Sequence, residues 1–265
     1  MRPLPRIFFS DLDGTLLDDD GSLHPDTVLA FKELAARGTR IVLASGRIPL
    51  NMVEVCETLE LEGPQITMNG ALVCSPLTGE VVAGHTLDES AVREHLRFAE
   101  QRDLPAVLAF PDGYKTQDLG PVRRDFDAQL PEEVPDLDEL ARSRPFKTYL
   151  MTGPDRFRGV LADAYELFDG RYHVTSGGND ISVEVLHIRA NKGAAAAALA
   201  ASMGVPMSEV ATAGDGLNDL ELLRAAGVSI AMPEAPEQLR RAATHVAPPR
   251  STGGLVRAVE ELFPV

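Results

Sequence analysis

The sequence predicts an α/β protein: a parallel-sheet core whose chain is interrupted by an inserted α+β segment. Three observations predict it. Strand-like apolar runs alternate with helical periods over the first third of the 265 residues, the alternation lapses in the middle, and it resumes in the last third. Strand, helix and strand in succession require crossovers, and crossovers of one hand give a parallel sheet. The core is therefore split between residues 1–83 and 187–265, with the insert at 84–186.

The elements follow in order. "RIFFS" reads as a buried strand, and "PDTVLAFKELAARG" as a helix with Pro25 in its first turn and Gly38 at its stop. "TRIVLA" is the second strand, "IPLNMVEVCETLEL" the second helix and "PQITMNG" the third strand. In the middle of the chain, "ALVCSPLTGEVVAGH" reads as a hairpin turning near Thr78 and Gly79, and Val92, Leu96 and Ala99 recur at helical spacing. "PAVLAF", "FKTYLMT" and "DISVEVL" supply further strands, and "PDRFRGVLADAYELF" a helix. From "NKGAAAAALAASMG" the alternation returns through "EVATA", "GDGLNDLELLRAAG", "VSIAM", "PEQLRRAA", "HVAP" and a last helix near Gly254. Alanine is the best helix former, so "AAAAALAA" predicts a closely packed helix rather than an unstructured tract.

Composition narrows the function. The chain is 44% hydrophobic and 25% charged, ordinary for a globular protein, and no apolar run approaches the ~20 residues of a membrane helix. Forty acids against 25 bases give a net charge of −15, which disfavours a phosphate-backbone surface and so nucleic acid as partner. The N-terminal apolar run, Ile7 to Phe9, is too short for a secretory signal. Cys56 and Cys74 have no metal or redox spacing and read as small core residues, so a cytoplasmic, reducing setting is expected. The six histidines are scattered without ligand spacing.

In an open parallel sheet ligands gather at the carboxyl ends of the strands. After the first strand come Asp11, Asp13, Gly14 and Thr15; after the second, Ser45, Gly46 and Arg47; after the third, Asn69 and Gly70; after "EVATA", Gly214, Asp215, Asn218 and Asp219. Lys192 stands where the helix re-enters the core. Two acids one residue apart repel and call for a cation. Four carboxylates, a lysine and small hydroxyl or glycine residues are the donor set for magnesium and a phosphoryl group: oxygen ligands for the metal, N–H and O–H donors for the phosphate. Arg47 reads as an ion pair at a helix start or sheet edge before it reads as a substrate ligand, and Asn69 equally as a phosphate contact or a turn residue. The run Asp18 to Asp20 reads as solvated surface.

"DLDGTL", "ASGR", "NKG" and "GDGLND", in that order, resemble the four signature motifs of the haloacid dehalogenase superfamily. "TMNG", the large insert and "GVSIAM" are similar to its Cof-like, type IIB cap branch. The resemblance spans essentially the whole chain and is faint in the insert. It implies a Rossmann-like core with a cap. It also implies a magnesium-dependent phosphatase of small phosphorylated metabolites, sugar phosphates foremost, acting as a monomer or small homo-oligomer. Asp11 would be the nucleophile and Asp13 the general acid and base. Ser45 and Lys192 would hold the phosphoryl oxygens, with Gly46 and Asn69 beside them and Asn218 supporting Lys192 or the phosphate. Asp11, the Asp13 carbonyl and Asp215 would bind magnesium, with Asp219 acting on the metal shell through water.

Two features depart from that branch: Leu222 stands for a methionine, and Pro233 and Glu234 stand for a glycine and an asparagine. Tyr114, Lys115, Arg123, Arg124 and the "TSGGND" loop, with Gly177 and Gly178, are candidate contacts to a leaving group, though each reads first as turn or solvated surface. Rivals remain: a phosphomutase or phosphotransferase with the same intermediate, or a non-catalytic phosphometabolite sensor.

Overall fold

The computed structural model describes residues 3–18, 20–118, 130–176 and 180–264. Asp19, Arg123, Arg124, Gly177 and Gly178 lie outside them. The chain forms two compact units, one of Met1–Arg47, Asn51–Val82 and Asn191–Val265, the other of Ile48–Leu50 and Ala83–Ala190.

The first stretch of chain carries β1 (Ile7–Ser10), α1 (Pro25–Ala36), β2 (Arg40–Leu43), α2 (Val53–Thr58), β3 (Gln65–Thr67), β4 (Leu72–Cys74) and β5 (Val81–Gly84). The middle carries α3 (Glu89–Glu100), β6 (Ala106–Phe110), β7 (Gly113–Thr116), β8 (Glu132–Glu133), α4 (Leu137–Arg142), β9 (Lys147–Met151), α5 (Pro154–Phe168), β10 (Tyr172–Ser176) and β11 (Ser182–His187). The last stretch carries α6 (Lys192–Ser202), β12 (Val210–Gly214), α7 (Leu220–Ala225), β13 (Val228–Ala231), α8 (Glu237–Ala242), β14 (His245–Val246) and α9 (Gly254–Leu262). No described helix is long and apolar enough to cross a membrane.

In the first unit β14-β13-β12-β1-β2 make one sheet, every pair parallel. Both faces are buried, as parallel sheets require. Phe8 points to one side with Leu43, Phe31 and Leu34 of α1 and Leu255 and Val259 of α9. Ile7 and Phe9 point to the other with Val42, Val210 and the α6 residues Ala196, Leu199 and Ala200. The alternation of side chains along a strand produces this division, and the small alanines let α6 lie close to the sheet.

The third strand behaves differently from a regular member of that sheet. β3 runs parallel beside β2 through a single bridge, Ala44 to Ile66, and belongs instead to a three-stranded sheet β3-β4-β5 in which β3 and β4 are antiparallel. The cause is local: Met68 and Asn69 have φ of 46° and 54°, a left-handed reversal that turns the chain back at once. The second helix is also shorter than its pattern predicts. A 3-10 turn covers Pro49–Met52, and α2 ends before Glu60, whose φ is 55°.

The second unit is built on a sheet of order β10-β11-β9-β6-β7-β8, antiparallel except where β7 meets β8. On α3 the residues Ala91, Val92, His95, Phe98 and Ala99 are buried, one face of a helix, and Asp88 caps it by accepting from the Ala91 N–H at 2.9 Å. Phe98 joins Phe157, Val160, Ala164 and Phe168 of α5 over Leu150, Val183 and Val185 of the sheet. Alternation then turns Lys147, Tyr149 and Met151 to the opposite sheet face. Tyr114 and Tyr149 rings lie 6.1 Å apart, and Lys115 pairs with Glu132 at 3.1 Å.

Candidate active site

The site lies in the first unit, where β1, β2 and β12 end. β1 runs directly into Asp11, whose backbone N–H still donates to the Ala213 carbonyl at 3.0 Å, so the nucleophile candidate is held by the sheet itself. The chain then tightens: the N–H groups of Thr15, Leu16 and Leu17 all donate to the Leu12 carbonyl. Gly14 has φ of 78°, and a Cβ there would stand 2.2 Å from Asp215 Oδ2, so only glycine lets the two loops approach.

Lys192, fully buried at the start of α6, joins the acids. Its Nζ donates to Asp11 Oδ1 at 2.6 Å and to Asp219 Oδ1 at 2.7 Å. The other Asp219 oxygen accepts from the N–H groups of Asp215 and Gly216, both at 3.1 Å. Asp219 is thus committed to donors on both sides and fixes the loop after β12. Thr15 Oγ1 donates to Asp215 Oδ1 at 3.0 Å, a contact that the sequence reading did not single out.

One oxygen from each of Asp11, Asp215 and Asp219 falls within 4.8 Å of the others. Three carboxylates against one ammonium leave an excess of negative charge. Burial and then the Asp219 carboxylate push Asp11 well above the usual carboxylate range, against the pull of Lys192. Burial and Asp219 likewise raise Asp215. Burial alone would lower Lys192, but Asp11 and Asp219 overcome it and hold the ammonium firmly protonated. An oxygen-only donor set with unbalanced charge is the chemistry of a hard divalent cation, so the residues fit magnesium.

The remaining candidates surround this cluster unequally. Ser45 is fully buried and its Oγ accepts from the Arg47 N–H at 3.1 Å, which leaves its own proton to donate. A Cβ on Gly46 would stand 3.3 Å from the Asn69 amide, so this loop and the β3 reversal are closely packed. Asn69 is buried, and its backbone N–H donates to the Ser45 carbonyl at 2.9 Å. Asn218 Nδ2 donates to Asn69 Oδ1 at 3.0 Å, which gives Asn218 the asparagine as a partner and ties the loops after β3 and β12 together. Asp13 stands more exposed and is gripped by Arg47: Nε to Oδ2 at 2.9 Å, Nη2 to Oδ1 at 2.6 Å.

A buried lysine shared by acids from two loops stands at the carboxyl edge of a parallel sheet, where α/β folds place their ligands. Residues 8–259 match the family of haloacid dehalogenase-like hydrolases, and the chain belongs to that family. It is 29% identical over 247 residues to HMP-PP phosphatase of Escherichia coli, covering 92% of this chain and 89% of that one. A haloacid dehalogenase-like hydrolase from Bacteroides thetaiotaomicron superposes with TM-score 0.85 at 22% identity, over 98% of this chain and 100% of that one. A subclass IIB sugar phosphatase gives TM-score 0.84 at 22% identity, again over 98% and 100%. The fold is therefore that of the family's capped hydrolases, as the motifs implied.

Proposed function

We propose that the protein is a magnesium-dependent phosphatase of small phosphorylated metabolites, sugar phosphates among them. The observation that carries this reading is Lys192 bridging Asp11 and Asp219 beside Asp215. Membership of the hydrolase family and the names of the similar proteins, HMP-PP phosphatase and sugar phosphatase, support it.

Asp11 attacks phosphorus through a carboxylate oxygen, the bond from phosphorus to the leaving oxygen breaks, and Asp13 gives that oxygen its proton. Water then attacks the phosphorus of the aspartyl-phosphate and passes a proton to Asp13, which frees Asp11 and inorganic phosphate. Lys192 offsets the charge of Asp11 and of the phosphoryl oxygens, and the Ser45 hydroxyl supplies a further donor. Asp11, Asp215 and the Asp13 carbonyl would hold the magnesium, with Asp219 orienting its waters; the ion supplies positive charge against the developing phosphoryl negative charge.

The test is phosphate release from a panel of sugar phosphates, nucleotides, cofactors and p-nitrophenyl phosphate, with magnesium and with EDTA, beside Asp11→Asn. Magnesium-dependent release that the substitution abolishes is expected. Silence across the panel from folded, metal-supplied protein contradicts the reading, and phosphate that stays on an acceptor points to a transferase.

A further inference from the structure

Arg47 and Asp13 meet as two forks, with Nε on Oδ2 at 2.9 Å and Nη2 on Oδ1 at 2.6 Å. The third guanidinium nitrogen, Nη1, donates to the Asn51 carbonyl at 3.3 Å. All three nitrogens are therefore engaged by oxygens of the protein. The backbone of Arg47 is held as well: its N–H donates to Ser45 Oγ at 3.1 Å and its carbonyl accepts from the Met68 N–H at 2.9 Å. An arginine anchored at both ends is a rigid support.

As a stabilising ion pair this contact carries little, since the Asp13 side chain is 59% exposed and the pair is screened by water. Its value is geometric. A bidentate guanidinium fixes both the position and the plane of a carboxylate, which a single-point ammonium does not. A carboxylate that must exchange a proton with a bridging oxygen works only within hydrogen-bond reach and at the right angle, and on a loop it otherwise samples many rotamers. The engaged nitrogens also argue against Arg47 as a phosphate anchor.

We propose that Arg47 is a positioning residue for Asp13, one that sets the orientation of the carboxylate serving the leaving oxygen and does not itself hold the phosphoryl group. This rests on the phosphatase reading. Its signature is a dependence on the leaving group: p-nitrophenolate departs with little need of a proton, whereas a sugar or glycerol alkoxide needs one.

The experiment compares wild type, Arg47→Ala, Arg47→Lys, Asp13→Asn and the double variant Arg47→Ala/Asp13→Asn on an alkyl phosphate and on p-nitrophenyl phosphate, with inorganic phosphate as inhibitor. For Arg47→Ala, kcat/KM on the alkyl phosphate should fall about 10- to 100-fold, and much less on p-nitrophenyl phosphate. The inhibition constant of phosphate should stay within about twofold, and the double variant should lose no more than Asp13→Asn alone. Arg47→Lys keeps the charge without the fork and should fall between, so the split is readable even if the alanine variant does not fold. Equal losses on both substrates with weakened phosphate inhibition would make Arg47 an anchor and overturn the proposal. Full activity on both would reduce the contact to a surface ion pair and overturn it too. Wild-type silence on both substrates would be a different failure, that of the phosphatase reading, and would take the role of Arg47 with it.

Discussion

Each unit buries one lysine completely, and the two are resolved in opposite ways. In the second unit Lys147 Nζ pairs with Glu184 at 3.0 Å and lies 4.2 Å from the centre of the Tyr149 ring. One charge meets one charge, and the aromatic face adds to the stabilisation of the cation. In the first unit Lys192 faces Asp11 and Asp219 directly, with Asp215 beside them. That cluster is electrostatically unfinished. The Lys147 pair balances its charges, and the Lys192 cluster carries the excess negative charge that the proposed cation would offset. Burial alone does not separate the two lysines; the excess charge around Lys192 does, and it is the feature that marks a candidate functional site.

The largest effect expected is at Asp11. Asparagine there should cost ~10⁴-fold or more in turnover, because the proposed nucleophile is gone. It also removes one excess negative charge, so in metal-free protein its urea midpoint should equal or exceed that of the wild type. A clear loss of stability would break the comparison by showing that Asp11 is needed to balance Lys192.

The opposite pattern is expected at the balanced pair. Glu184→Gln leaves Lys147 buried without its countercharge and should cost about 3 to 5 kcal/mol, while Lys147→Met with Glu184→Leu should recover most of that loss. Urea unfolding of the single and double variants checks it, and a harmless single substitution would remove the contrast.

A third test uses the one buried histidine of the helix-covered sheet face. Burial, with a smaller push from Arg171, lowers His95 to about 3, so it folds neutral. Its Nδ1 lies 3.1 Å from Thr148 Oγ1, and its Nε2 has no hydrogen-bond partner. Because the folded value lies below the unfolded one, the unfolded chain binds the extra proton between them. Stability is thus full above pH ~6.5 and declines as the pH falls, by about 2 kcal/mol at pH 5. The difference in stability between pH 7 and pH 5 should be smaller by that amount in His95→Asn.

The smallest effect concerns the metal. Magnesium at ten times its dissociation constant should stabilise the wild type by about 1.4 kcal/mol, EDTA should reverse it, and Asp215→Asn should show neither change. Thermal unfolding with and without the ion measures this. Stabilisation of the variant equal to that of the wild type would place the ion elsewhere.

What the sequence disclosed and what it hid follow from distance along the chain. The parallel core was legible because strand and helix periods are local, and the acids stood out because they cluster within a few residues of the ends of two apolar runs, "IFFS" and "EVATA". The reversal after β3 was half legible: Asn-Gly offered Asn69 as a turn residue, but "TMNG" also reads as a strand end, and nothing in it signals the left-handed conformation of Met68. The fork between Arg47 and Asp13 joins loops 34 residues apart and depends on rotamers of a long side chain, which no spacing rule encodes. The same holds for Asn218 with Asn69, 149 residues apart, and for Thr15 with Asp215, 200 apart. A hydroxyl four residues after Asp11 was a usable signal for Thr15, but its partner was not.

The measurement that goes most directly to the centre is trapping of the covalent intermediate. Asp13→Asn, given magnesium and p-nitrophenyl phosphate, retains the nucleophile and a substrate whose leaving group needs little protonation, but lacks the base for water. After acid quench, phosphate should be found on Asp11 as a hydroxylamine-sensitive acyl phosphate, absent when Asp11 is also replaced by asparagine. Label on another residue, or turnover that persists in Asp11→Asn, would contradict phosphoryl transfer through Asp11.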